Sequence, residues 1–144
     1  MRTAYRVLAY LVAVGVAVQA ASIAVGTFGL LNDIDSGAVA AKNYEENAGF
    51  AVHGAAGQIV IPLLAIALLV VSFFAKTIPG GITWAGYVLI TTIVQVVLGI
   101  VSRAVTSLGV VHGLIAMVLF AVAGLAARRA QQPARPVTAS TSVS

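Results

Sequence analysis

Four long apolar runs take up most of this 144-residue chain: Tyr5 to Leu31, Phe50 to Ala75, Ile82 to Val101 and Leu108 to Ala127. Each meets or exceeds the roughly 20 residues an α-helix needs to cross the hydrocarbon core of a bilayer. No water is available there, so a crossing segment must satisfy its own backbone N–H and C=O groups, and a helix does so. The expected architecture is all-α, a transmembrane up-down four-helix bundle over residues 1–130. A polar loop from Asn32 to Gly49 joins the first two runs. Tight connections follow at Lys76 to Gly81, where Pro79-Gly80-Gly81 punctuates the chain, and at Ser102 to Ser107. Short links make antiparallel neighbours.

Composition supports a membrane protein. With 60% hydrophobic and 8% charged residues, and a mean hydropathy of +1.05, the chain has too little charge for a soluble surface. A pI near 10.0 could suggest a nucleic-acid partner, but the basic residues are scattered at segment ends, so that reading is rejected. Arg2, Arg6, Lys76, Arg128, Arg129 and Arg135 fall on one side of the bundle, and Lys42 and Arg103 on the other. That bias predicts a plasma-membrane protein with both termini in the cytoplasm. All four acidic residues, Asp33, Asp35, Glu45 and Glu46, lie in the loop then expected outside. Residues 131–144, rich in Pro, Ser, Thr and Gln, read as a disordered cytoplasmic tail. Arg2, Arg6 and Val18-Gln19-Ala20 also resemble a cleavable signal peptide, but the apolar run continues to Leu31, past a usual signal core.

The chemistry-bearing residues are few. There is no cysteine, which excludes disulfides, iron–sulfur clusters and covalent haem attachment through C-x-x-C-H. The two histidines, His53 and His112, each sit in a Val-His-Gly triplet just inside an even-numbered run. Histidine within a span is costly and marks a functional position. Runs two and four travel in the same direction, so the two imidazoles share a depth near the outer face. In a bundle with axes about 8–10 Å apart these runs occupy diagonal corners. Two imidazoles facing across that gap can take one haem iron between them, giving a non-covalent b-type haem with His53 and His112 as metal ligands.

Small residues near this depth would clear room for a porphyrin: Gly57, Gly113, Gly26 and Gly99 are the candidates. Small residues also serve plain helix packing in lipid. Arg103 is the candidate partner for haem propionates, with snorkelling to headgroups as its alternative. Electron transfer is favoured over catalysis, because two histidines fill both axial positions. A redox partner, a quinone or a second haem in a homo-oligomer would then be needed. Zinc is disfavoured, since it wants three or four ligands.

Two other readings stand beside the haem. The histidines could simply hydrogen-bond across the bundle to Gln19, Gln95 or a serine, in a cofactor-free interaction subunit of a larger complex. They could also titrate in a small proton-linked transporter, although no Asp or Glu lies within a run. A weak internal repeat runs alongside: Val18-Gln19 matches Val94-Gln95, and Val52-His53-Gly54 matches Val111-His112-Gly113. It suggests two duplicated helical hairpins.

The stretch Phe50 to Pro62 (FAVHGAAGQIVIP), Val111-His112-Gly113-Leu114 and Ala127-Arg128-Arg129 resemble a family of small actinobacterial four-span membrane proteins of unknown function. The resemblance covers about residues 5–130 and implies an actinobacterial plasma-membrane protein. It would also put Asn three residues after each histidine, where this chain has Ala56 and Ile115. A looser likeness, of architecture alone, is to the four-helix halves of haem A synthase and to small membrane cytochromes b.

Overall fold

The computed structural model describes residues 1–41, 45 and 47–132. The expected tail from residue 133 onward, with Arg135, lies outside the described residues, as do Lys42 and Glu46. The elements are α1 (Arg2–Asp35), α2 (Ala48–Ala55), a π-helical turn (Ala56–Val60), α3 (Ile61–Phe74), α4 (Gly81–Val101) and α5 (Leu108–Arg129). α2, the π-turn and α3 run on as one span, Ala48–Phe74. All four spans are long and apolar enough to cross a membrane, and the chain is a transmembrane four-helix bundle.

Each span extends about as far as its hydropathy, except α1. Its apolar run stops at Leu31 but the helix continues to Asp35, so the expected loop starts four residues later. Hydropathy marks where hydrocarbon ends, and a helix can continue beyond that point. At 34 residues α1 is about 50 Å long, well over the roughly 30 Å of a bilayer core. Between α3 and α4 the chain reverses at Gly80, whose φ of 67° lies in the left-handed region that glycine adopts without strain.

α1 packs against α5 on one side and against the second span on the other, while α4 packs against α3 and α5. Spans two and four therefore lie on one diagonal, as expected. Packing is uneven along the bundle axis. One end carries the chain termini and the Phe74–Gly81 turn, and we call it the terminal end. There α1 buries Tyr5, Ala9, Val12, Ala13 and Val16, α3 buries Ile61, Ala65 and Leu68, α4 buries Ala85 and Val88, and α5 buries Leu119, Ala123, Ala126 and Ala127. Most of these are Ala or Val, whose small size lets helices approach closely in lipid. Tyr5 Oη donates to Gly81 O at 2.9 Å inside this core. The Arg2 guanidinium donates to Ala130 O at 3.1 and 3.3 Å and also to Gln132 O, satisfying carbonyls that α5 leaves open at its end. Toward the other, loop end, burial stops. Beyond Gln19 in α1, before Ile61 in the second span, beyond Thr92 in α4 and before Leu119 in α5, only Gly26 and Gly49 are buried among the described residues.

Candidate functional site

The histidines stand at the level where the four-helix core ends. His53 comes from α2 and His112 from α5, and their ring centroids are 6.2 Å apart with the planes at 71°. The two rings that the sequence placed at one depth do meet across the diagonal. Each is fixed in the same way by the helix before it. His53 Nδ1 is 3.1 Å from the backbone carbonyl of Gln19, and His112 Nδ1 is 3.1 Å from that of Gln95. A carbonyl can only accept, so both Nδ1 atoms carry the proton and donate, and both Nε2 atoms are acceptors or ligands. One polar residue from each span thus forms a layer: Gln19, His53, Gln95 and His112. The Gln–His pairs obey the same rule in each hairpin, which is how the repeat in the sequence is expressed in space.

The π-turn places His53 in that layer. The buried stripe of the second span is Ile61, Ala65, Leu68 and Ser72. In an uninterrupted α-helix at about 100° per residue, His53 would sit about 80° and Gly49 about 120° around from Ile61. A π-turn carries one residue more than an α-turn, so the effective count is one shorter and both come within about 20° of the stripe. Pro62 explains why the extra residue sits here. It has no N–H to give Gln58 O, and its ring crowds that carbonyl. The backbone relaxes, and Ile61 N–H instead bonds Ala56 O, five residues back. A proline inside a span commonly kinks it, and here a π-turn is the form the perturbation takes.

Glycines set the close contacts around the layer. α1 and α2 touch backbone to backbone: a Cβ on Gly49 would stand 2.6 Å from Gly26 Cα and 2.7 Å from Ser22 O. Asn47 secures this crossing. Its side chain accepts from the N–H groups of Gly49 and Phe50, capping α2, and its Nδ2 donates to Gly26 O at 2.9 Å. A Cβ on Gly26 would meet the Phe50 ring at 2.7 Å, so Gly26 serves the α1–α2 crossing. A Cβ on Gly57 would meet Gln19 Oε1 at 2.9 Å, and one on Gly99 would meet His112 Cε1 at 3.1 Å. These two glycines therefore touch the layer itself. Gly113 has nothing within 4 Å and is exposed, so it points away from the histidines. Arg103 is exposed in the turn after α4, eight residues beyond Gln95 toward the loop end. Gln58 is exposed, and Ser22 and Ser102 bond carbonyls of their own helices.

Protein-family models, curated proteins and solved structures were each compared with the chain, and none matches.

Two polar atoms of the layer lack partners. Gln19 is only 9% exposed, yet its Nε2 has no hydrogen-bond partner among the described residues, and neither does Gln95 Oε1. An orphaned buried polar atom costs about 1–3 kcal/mol, so such a pair marks a place where a further polar or metal-bearing group would be welcome. Among the described residues no third His, Cys, Asp or Glu joins the two histidines. What the layer offers is therefore two imidazoles with ring centroids 6.2 Å apart. Metal–imidazole bonds of about 2.0 Å, placed in line, put ring centroids about 6 Å apart. The observed 6.2 Å suits two imidazoles sharing one metal ion.

The sequence offered Gln19 and Gln95 both as a repeat and as hydrogen-bond partners for the histidines, and both do bond them, chiefly through the backbone. Every residue type supplies a backbone carbonyl, so that part of the contact could not be read from the sequence. Asn47 was also missed, although Asn before a helical apolar run is a recognisable N-cap signal.

Proposed function

We propose that the layer binds one b-type haem non-covalently, with His53 and His112 as axial ligands, and that the protein transfers electrons in a bacterial plasma membrane. The observation that carries this reading is the matched pair of imidazoles, 6.2 Å apart, each with Nδ1 committed to a carbonyl of the neighbouring helix. Such a bond is the usual support of a metal-binding histidine: it selects the tautomer, holds the ring's rotation and makes the ligand nitrogen more basic. Bis-histidine haem exchanges single electrons and has no open position for oxygen chemistry. Gly57 and Gly99 keep Gln19 and His112 seated against their neighbouring helices, and the thin packing at the loop end leaves the surroundings apolar and yielding. Arg103, at that end, is the candidate for the propionates. The site lies nearer one membrane face, so a redox partner, a quinone or a second copy of the chain would complete the electron path. The charge bias assigns both termini to the cytoplasm, which makes the loop end the outer one. Because the chain has no cysteine, single cysteines placed at Ala38 and Gln132 can be labelled from either side to test this.

A second reading has its own support. His112 Nε2 is 3.3 Å from Gln95 Nε2, so a protein group already occupies that nitrogen. In this reading the layer is a cofactor-free polar lock that fixes helix register. Absorption spectra decide between the two. Protein made with haem available and purified in detergent is expected to show a Soret band and resolved reduced α and β bands. His53→Ala and His112→Ala should each alter them. A folded wild type with no haem signal would leave the polar lock standing.

A further inference from the structure

The two histidines differ in one respect. His53 has its Nδ1 fixed, and among the described residues no hydrogen-bond partner stands at its Nε2. His112 has both ring nitrogens taken by a single residue: Gln95 accepts at its backbone oxygen and meets Nε2 with its side-chain amide at 3.3 Å. These bonds are mutually consistent, because the tautomer with a proton on Nδ1 is the one whose Nε2 accepts from an amide. The cap is not free of cost, since turning the amide this way leaves Gln95 Oε1 buried without a partner.

The two hairpins differ by one methyl group at the corresponding place. Gln19, the counterpart of Gln95, folds over the π-turn with its Oε1 2.9 Å from where a Gly57 Cβ would be. Gly57 lies four residues after His53, and the residue four after His112 is Ala116, which has that Cβ. A Gln95 side chain folded back as Gln19 is would meet that Cβ, and its amide is instead turned toward His112.

We propose that Gln95 is a positioning residue that caps the ligand nitrogen of His112 in the haem-free protein and thereby sets how tightly haem is held; this rests on the haem site proposed above. His53 is the ready ligand, and His112 becomes one only when the Gln95 amide swings off Nε2. Removing the cap lowers the cost of loading. One hydrogen bond released corresponds to about fivefold tighter binding, or about 1 kcal/mol.

The test uses the full chain in detergent, titrated with ferric protoporphyrin IX, as wild type, Gln95→Leu and Ala116→Gly. Both variants are expected to bind about fivefold more tightly, Ala116→Gly doing so with Gln95 still present. In parallel, 15N NMR of the haem-free protein reads the cap directly. Gln95→Leu should move the His112 Nε2 resonance downfield, toward an imidazole nitrogen with no donor, and leave His53 unchanged. Unaltered or weaker haem affinity in Gln95→Leu overturns the proposal, as does an unmoved Nε2 resonance. Tighter binding in Gln95→Leu alone overturns the role given to Ala116. Binding by Gln95→Leu but not by wild type supports the cap. Failure of all three proteins to bind haem removes the haem site and this inference together, and the NMR shift then says only whether the cap exists.

Discussion

Gly49→Ala is the sharpest test of how the site is held, because its cost can be worked out from two glycines. The new Cβ would stand 2.6 Å from Gly26 Cα and 2.7 Å from Ser22 O, all on backbone that cannot swing aside. Comfortable contact needs about 3.5 Å, so α1 and α2 must part by about 1 Å. Overpacking of this kind costs about 3 kcal/mol at its upper end. Alanine gains about 1 kcal/mol over glycine in helix propensity, leaving a net loss of about 2 kcal/mol. Gly113→Ala is the matching control. It has the same propensity gain and meets nothing within 4 Å. The difference between the two variants isolates the clash, at about 3 kcal/mol. The displacement should also loosen the Asn47–Gly26 and His53–Gln19 bonds that span the same crossing. Unfolding in mixed micelles with increasing SDS, followed by the fluorescence of Trp84, the one tryptophan, gives the measurement. A difference below about 1 kcal/mol would refute the backbone contact, since overpacking against rigid atoms cannot be that mild.

Three further expectations follow from named contacts. Tyr5→Phe leaves Gly81 O without its buried donor and should cost about 1–3 kcal/mol in the same unfolding assay, with no loss meaning that the core closes without that bond. Pro62→Ala restores an N–H and favours a regular α-turn, which would rotate His53 by about 100° off the layer. The solid-state NMR contact between the two imidazoles should vanish while helix content by circular dichroism stays constant, and a persisting contact would show that Pro62 does not hold the π-turn. Arg129→Ala removes the guanidinium 5.0 Å from the Trp84 ring centre and should shift the single-tryptophan emission with a stability loss of about 0.5–1 kcal/mol, an unshifted spectrum counting against the contact.

Much of the architecture could be read from hydropathy, and the reasons for its misses are specific. The four spans follow from apolar runs because lipid leaves the backbone no alternative. The extension of α1 to Asp35 did not, since polar residues can continue a helix once hydrocarbon has ended. The shared depth of His53 and His112 was legible, because span direction and residue count fix it. Their facing orientation was not, since every face of these helices is apolar and the register depends on one extra residue in the π-turn. Gly26 was read as clearance for a ligand, yet it accommodates Phe50 and Gly49, because a small residue announces a close neighbour without naming it.

The uneven packing along the axis has a mechanical consequence. At the terminal end, Tyr5, Leu68, Val88 and Leu119 bind all four spans into one unit, whereas toward the loop end burial among the described residues is confined to the α1–α2 crossing. Stability distributed in this way makes opening local: amides in the tightly packed part exchange only on global unfolding, and those near the histidines exchange through small excursions. The molecule behaves as a pair of forceps, with a riveted base and two compliant arms, each arm one helical hairpin. A flat apolar compound dissolved in the bilayer would meet the histidines sideways, between the arms, and could come and go without the base ever yielding.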